Sequence, residues 1–271
     1  MEEVKGNLIT VQTLAADFRR LGVKAGMTII LHSSFKSLGQ WVAGGPVAVI
    51  LALEEVLGGS GTLVMPTHSS DLTDPAGWSN PPVPESWWQS IREQMPVYDP
   101  DLTQLRGMGV IPDCFRKQKG VKRSDHPVHS FAAWGKHQDE IIYGHSLEMS
   151  LGEDSPLARI YDLGGYVLLL GVGHLNNTSL HLAECRASYP GKNEVIGGAP
   201  MMVHGARRWV EFKELDWDSE DFAQLAEQFE QETGLITYGQ VASATAQLIP
   251  QREIVDYAVN WMEQNRKERG I

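Results

Sequence analysis

Apolar residues at helical spacing come first in the chain, and two short apolar runs follow them. Apolar positions recur every three or four residues over 11–21 and Gly22 follows, which predicts a helix with a glycine stop. The runs at 28–31 and 62–65 are too short for helices and are typical of buried strands. The segment 46–57 lies between them, starts with a proline and predicts an apolar helix. This alternation of strand, helix and strand predicts a parallel sheet covered by helices.

The middle of the chain continues the alternation around a polar, proline-rich stretch at 71–84, which we interpret as a long loop. Helices are predicted over 86–94, 108–118, 155–162 and 178–186, and strands over 130–134 and 166–170. Trp87 and Trp88 are expected to be partly buried in the first of these helices. The strand at 166–170 has the clearest apolar run and is expected to be central.

The last third of the chain has a different pattern. The segments 201–203 and 207–212 flank a His-Gly pair, which predicts a β-hairpin. The other predicted elements are a helix capped by Ser219 and ended by Gly234, a strand over 244–249 and an amphipathic helix that begins at Pro250. We expect one domain over 1–271, with a small subdomain around 194–235.

Composition and charge narrow the class of protein. The chain has 271 residues and a formal net charge of -11, which disfavours nucleic acid and anionic membranes as partners. No apolar run is long enough to cross a bilayer, and the acidic N-terminus does not resemble a signal peptide. The two cysteines, Cys114 and Cys185, do not make a disulfide framework. These features predict a cytoplasmic protein.

The charges are unevenly spread along the sequence. The segment 116–123 is basic and the segment 211–221 is strongly acidic. Such a pair of clusters could hold an anionic cofactor and a cationic substrate, or both clusters could be solvated surface.

The segment 171–184, GVGHLNNTSLHLAE, follows the predicted central strand and leads into a helix. In open α/β sheets ligands bind beyond the carboxyl ends of strands, so a site is expected here. His181 falls in the first helical turn, where the helix dipole favours the neutral imidazole that a general base needs. Glu184 lies on the same helical face and could orient the ring. The alternative is a histidine that only packs in the core.

Other strand ends also carry residues that could do chemistry. Ser33 and Ser34 follow the first strand, where backbone N–H groups could hold a phosphate or an oxyanion, or where the serines could only cap a helix. The histidines suggest metal hydrolysis as an alternative, although HExxH and CxxC spacings are absent from the sequence. Cys185 could be a nucleophile, but a thiol in an apolar helix is usually buried. The serine hydrolase motif G-x-S-x-G is absent from the sequence.

Taken together, several segments resemble the aminoglycoside 3-N-acetyltransferase family, and in particular its compact members from Bacillus-like bacteria. The matching segments are LHSSFKSLG from Leu31, GGPVAVILAL from Gly44, TLVMPTHS from Thr62, HPVHSFAAWG from His126, LLLGVG from Leu168 and NTSLHLAE from Asn177. The resemblance covers nearly the whole chain in the same order. It implies an α/β protein built as a three-layer α/β/α sandwich, with a largely parallel central sheet and a small additional hairpin and helix region.

The resemblance also implies the reaction and its residues. Acetyl-CoA is the implied donor, an aminoglycoside or another cationic amine the acceptor, and His181 with Glu184 the catalytic pair. The expected cofactor contacts are Ser33, Ser34, Phe35, Arg106, Met108, Gly109, His126 and Ser130. The expected acidic contacts to the substrate are Asp71, Asp216 and Glu184. No metal is expected, and the protein is expected to be a monomer or a homodimer.

One departure from the family affects specificity. Longer members carry extra acidic sequence after the region that corresponds to Asp216–Asp218, whereas this chain passes directly into a helix at Ser219. An acetyltransferase for a different amine metabolite, or an inactive relative that binds coenzyme A, are therefore kept as alternatives.

Overall fold

The computed structural model describes residue 3 and residues 6–267, and nine strands in two sheets lie in this part of the chain. The strands are β1 (Thr28–Ser33), β2 (Thr62–Pro66), β3 (Lys122–Arg123), β4 (Phe131–Gly135), β5 (Tyr166–Leu170), β6 (Glu194–Val203), β7 (Ala206–Leu215), β8 (Thr237–Val241) and β9 (Ala244–Pro250). Seven of them form the central sheet in the order β3-β4-β2-β1-β5-β9-β8, and β6 pairs with β7 in the second sheet.

Helices cover both faces of the central sheet. They are α1 (Val11–Leu21), α2 (Pro46–Leu57), α3 (Glu85–Gln94), α4 (Val110–Phe115), α5 (Gln138–Ile142), α6 (Pro156–Asp162), α7 (Ser179–Arg186), α8 (Phe222–Thr233) and α9 (Gln251–Asn265). Ile29 and Leu31 of β1 point into the core under α1, α2 and α4, whereas Ile30 points into the core under α6 to α9. Because alternate strand residues face opposite sides, this pattern confirms the predicted three-layer α/β/α sandwich.

The parallel part of the sheet is its centre. Strand β1 runs parallel to β2 and to β5, while the outer pairs β2–β4, β3–β4, β5–β9 and β8–β9 are antiparallel. The carboxyl ends of β1, β2 and β5 therefore meet at one edge. That edge is where the sequence predicted a site.

Several predicted boundaries differ from the structure. The helix predicted over 108–118 is only α4, and β8 was not predicted at all. Ser219 is not the cap of α8, because that helix begins after Asp221 and has no side-chain cap. Trp87 is 57% exposed, so the prediction that it is partly buried was wrong.

The predicted hairpin is present and longer than expected. Its two-residue turn, His204–Gly205, has positive φ at both positions, as a type I′ turn requires. Helix α8, by contrast, packs Phe222, Leu225 and Phe229 into the core of the main layers. Within residue 3 and residues 6–267, no helix is both long and apolar enough to span a membrane.

Candidate active site

His181 and Glu184 form a hydrogen-bonded pair in the short helix α7, which follows the loop after β5. The Nδ1–H of His181 donates to Glu184 Oε2, and the two residues lie one helical turn apart. The His181 side chain is 16% exposed, whereas the Glu184 side chain is fully buried. Because a carboxylate only accepts hydrogen bonds, this contact fixes the proton on Nδ1 and leaves a lone pair on Nε2.

Glu184 is held from behind by Arg266, which follows α9. Arg266 Nη1 donates to Glu184 Oε1 at 2.6 Å, and the backbone N–H of Asp218 donates to the same oxygen at 3.2 Å. Arg266 also forms two hydrogen bonds with the carboxylate of Asp221, each 2.7 Å long. Burial alone would lower the pKa of Arg266, but its bonds to Asp221 and Glu184 raise that pKa.

A cavity of about 280 Å³ lies in front of His181, at the carboxyl edge of the parallel strands. Its walls include residues from the ends of β1 and β2, from the loop after β5 and from the loop before α4. The polar and aromatic residues of this wall are His32, Ser33, His68, His129, Asn176, Thr178, His181 and Trp217. None of the described residues that line the cavity is Asp or Glu.

Three polar atoms of this wall lack a hydrogen-bond partner within the described part of the chain. They are Ser33 Oγ, His32 Nε2 and His68 Nε2. Burial, and then the nearby His181 and His174, lower the pKa of His32 to about 3. Burial also lowers the pKa of His68 well below the usual value. Both imidazoles are therefore neutral at pH 7, so their ring nitrogens and the Ser33 hydroxyl can hydrogen-bond to a ligand.

The eight residues predicted to contact a cofactor lie in different environments. Ser33 and Met108 line the cavity beside His181. Ser34 lies just outside it, and its backbone N–H is already used, because it donates to Leu170 O at 2.9 Å. Phe35 packs against the core under α1 and α2.

Two more of the predicted cofactor contacts, Gly109 and Arg106, lie near the start of α4. Gly109 precedes that helix with a φ of 85°, a left-handed conformation that suits glycine. Arg106 is half exposed, donates to Asn80 O at 3.1 Å and pairs with Asp71 at 3.5 Å.

His126 and Ser130 are interior residues, which corrects their assignment as cofactor contacts. His126 is 1% exposed; its Nδ1 accepts from the backbone of Val128 and His129, and its Nε2–H donates to Leu147 O. Burial lowers the pKa of His126 to about 4. Ser130 is fully buried and donates to Thr67 O at 2.8 Å. Neither side chain has surface left for a cofactor.

The three predicted acidic contacts do not gather at the cavity. Glu184 is fully buried behind His181, so it orients the ring and cannot touch a substrate. The Asp71 side chain is 62% exposed and pairs with Arg106. Asp216 lies in a separate cavity of about 190 Å³, together with Tyr189 and Arg266.

The environment of Cys185 does not support the alternative of a cysteine nucleophile. Burial raises the pKa of Cys185 to about 12, so its thiol is protonated at neutral pH and is not a nucleophile. Residue 3 and residues 6–267 contain no group of three or more His, Cys, Asp or Glu placed to hold a metal ion.

Sequence reasoning missed the role of Trp217, and it did not select His129 as a catalytic residue. The indole ring of Trp217 contacts the ring of His181 at 5.3 Å between centroids, and its Nε1–H donates to Glu214 Oε2 at 3.0 Å. His129 lines the same cavity. The only local signal was the segment 216–218, in which an aromatic residue stands between two acids.

Comparison with known proteins places the chain in a family. Residues 30–263 match the family described as aminoglycoside 3-N-acetyltransferase, and the chain belongs to this family of acyltransferases. It is 47% identical to the SPbeta prophage-derived aminoglycoside N(3')-acetyltransferase-like protein YokD of Bacillus subtilis (strain 168), over 94% of this chain and 93% of that protein. It is 36% identical to aminoglycoside N(3)-acetyltransferase VII of Streptomyces paromomycinus, over 97% of this chain and 94% of that enzyme.

Solved structures agree with this assignment. The crystal structure of Bacillus subtilis YokD superposes with a TM-score of 0.90 at 46% identity, over 95% of this chain and 100% of that one. AAC-IIIb, solved as a binary complex with CoASH, has a TM-score of 0.85 at 29% identity, over 98% of this chain and 100% of that one. AAC-VIa, solved with bound sisomicin, has a TM-score of 0.85 at 27% identity, over 96% and 100%.

Proposed function

We propose that this protein transfers the acetyl group of acetyl-CoA to an amino group of an aminoglycoside, at the 3-position, with His181 as the general base. The observation that supports this most is the His181–Glu184 pair. The ring of His181, with its free Nε2, lines the same cavity as the unpartnered Ser33 hydroxyl. Relatives of the same fold have been solved with CoASH and with sisomicin.

The mechanism follows from which groups can accept and donate protons. The neutral amine attacks the thioester carbonyl, which forms the C–N bond and leaves a positive charge on the nitrogen. Nε2 of His181 then accepts a proton from that nitrogen, and the buried Glu184 carboxylate stabilises the imidazolium that forms. The carbonyl then reforms as the C–S bond breaks within the same ternary complex, and no covalent enzyme intermediate is needed. The proton held by His181 is returned to the leaving thiolate.

Ser33 is suited to stabilise the oxyanion of this reaction. Its Oγ is buried and has no partner among the described residues, so its hydrogen bond is available to a substrate. Ser34, Phe35, Arg106, Met108 and Gly109 remain proposed contacts for the coenzyme. We also propose a cytoplasmic location, where acetyl-CoA is present.

The test measures the release of coenzyme A from acetyl-CoA by a thiol assay, with a panel of aminoglycosides that includes sisomicin. We expect His181→Ala to lower turnover about 10²–10⁴-fold while acetyl-CoA binding is retained. The chain offers a matched control in His137, which also bonds a glutamate three residues ahead, Glu140, but lies away from the cavity. His137→Ala should keep wild-type turnover, and near-normal turnover in His181→Ala would rule out the base assignment.

A second candidate keeps the mechanism but changes the acceptor. The described wall of the cavity carries imidazoles and apolar groups but no carboxylate, which favours an amine with less positive charge than an aminoglycoside. Release of coenzyme A with a small amine metabolite, but with none of the aminoglycosides, would select this function.

A further inference from the structure

A second histidine–carboxylate pair faces the same cavity. The Nδ1 of His129 lies 2.6 Å from Ser150 Oγ and 3.4 Å from Glu214 Oε2. Glu214 comes from β7, and its side chain is 6% exposed. His129, whose side chain is 20% exposed, lines the cavity together with His181.

The hydrogen bonds around Glu214 determine which nitrogen of His129 carries the proton. Ser150 uses both its N–H and its hydroxyl to donate to Glu214, each at 2.7 Å. The Ser150 oxygen is therefore the acceptor in its contact with His129, so Nδ1 of His129 is protonated. Nε2 then carries a lone pair, as it does in His181.

The Glu214 carboxylate is an anion at neutral pH. Burial alone would raise its pKa, but hydrogen bonds with His129 and Ser150 hold that pKa below the usual value. Trp217 adds a third donor to Glu214 and contacts the rings of both His129 and His181, with centroid distances of 6.3 and 5.3 Å. The two pairs thus share one cavity and one supporting indole.

Starting from the ammonium form of the acceptor, the overall reaction removes two protons from the acceptor nitrogen, one before its attack and one after it. An ammonium group and acetyl-CoA yield an amide, free coenzyme A thiol and one proton, so one base would have to act twice within a turnover. We propose that His129 accepts the first of these protons and His181 the second. This inference rests on the proposed function.

Each step balances. Nε2 of His129 takes a proton from the ammonium, and the N–H bonding pair becomes the amine lone pair. The amine forms a bond to the thioester carbon, and the carbonyl π pair moves to oxygen. His181 takes the second N–H proton; the oxygen pair then reforms the carbonyl, the C–S bond breaks, and the thiolate receives the proton from His181. His129 releases its proton to solvent.

The charges around His129 suit this role. Glu214 is the ionised group that faces the ring, and Ser150 links the two. The other titratable rings in contact are His68, at 5.1 Å, and His126, at 5.6 Å, and burial lowers the pKa of both. Neither neighbour adds a positive charge at pH 7, so neither of these two rings opposes a proton on His129.

The experiment compares the pH dependence of kcat/KM for wild type and His129→Asn, with the amine that the coenzyme A assay identifies. The kcat/KM of wild type should reach a plateau well below the pKa of the amine, because His129 then accepts the ammonium proton. His129→Asn should fall about 10²-fold at neutral pH, and its kcat/KM should keep rising about tenfold per pH unit toward the pKa of the amine. His137→Ala is the control.

A purely structural role for His129 would lower the whole curve without changing its slope, and that result would overturn the proposal. If His129→Asn does not fold, Glu214→Gln tests the same idea with an almost isosteric change. Its kcat/KM at neutral pH should fall about tenfold, and an unchanged value would again overturn the proposal. Absence of acetyl transfer in wild type with every amine would instead refute the proposed function, and this role with it.

Discussion

Arg266→Gln tests whether the proposed catalytic pair, His181 and Glu184, depends on a residue far away in sequence. Arg266 stands 82 positions after Glu184, yet its guanidinium donates to Oε1 of that buried carboxylate. The substitution removes the positive charge and keeps a polar side chain. Glu184 would then accept hydrogen bonds only from the Asp218 backbone and from His181, as far as the described residues show.

The burial of Arg266 and its partners sets the expected loss in the free energy of unfolding. Removing one partner of a buried ion pair costs about 3–5 kcal/mol, because the other charge stays buried. The second partner, Asp221, is 23% exposed and can be rehydrated, so we expect a loss of about 3 kcal/mol in the free energy of unfolding. The lost positive charge also makes protonation of the His181–Glu184 pair easier. The pH below which turnover falls should therefore rise by about one unit.

Urea unfolding and the pH dependence of turnover measure these two effects separately. Arg252→Gln is the matched control, since Arg252 lies on α9 and bonds only the backbone oxygens of Tyr161 and Asp162 in the described chain. It should change stability by less than about 0.5 kcal/mol. Wild-type stability together with an unshifted pH profile in Arg266→Gln would refute the reasoning. A stability loss alone would limit Arg266 to a structural role.

Two further predictions concern stability. Gly171→Ala should destabilise the fold by about 2–4 kcal/mol in urea unfolding, because φ is 66° and a Cβ would meet Ser37 Oγ at 1.7 Å. Gly173→Ala, where a Cβ meets nothing within 4 Å, should change stability little, and equal losses in the two variants would contradict this account. Acid should also destabilise the protein, since the pKa values of His32 and His126 are about 3 and about 4 when folded, below the unfolded value of 6.5. The unfolded chain then binds more protons than the folded chain. Stability should therefore fall by about 1.4 kcal/mol per pH unit for each ring as the pH decreases from about 6.5 toward 4. A urea midpoint that stays constant over that range would refute this prediction.

The sequence predicted those parts of the site that depend on local pattern. Apolar runs locate β1, β2 and β5. Ser33 at the end of β1 and His181 in the helix that follows β5 line one cavity at the carboxyl edge of these strands, as expected. The His181–Glu184 contact is also local, since both residues lie on one helical face.

What could not be predicted depends on long-range packing. Nothing near Arg266 in the sequence indicates that it reaches Glu184, and nothing near Ser130 indicates that its hydroxyl is enclosed by Thr67 and Arg123. The strand order is of the same kind, because the antiparallel position of β4 beside β2 follows from the packing of the whole sheet. Strand β8 is short and largely exposed, so it lacks the apolar run that marks the other strands.

The segment 216–218 links both histidine pairs and also marks the departure from the longer family members. The indole of Trp217 donates to Glu214, and the backbone N–H of Asp218 donates to Glu184, so the two carboxylates are held by neighbouring residues of one loop. Sequence added after this segment, as in those members, would lie next to the cavity without breaking either bond. We therefore expect acceptor specificity to change by insertion at this point, while the positions of His129 and His181 remain the same. In this chain α8 begins only four residues after Asp218, so we expect the acceptor to meet the imidazoles and the indole that line the cavity.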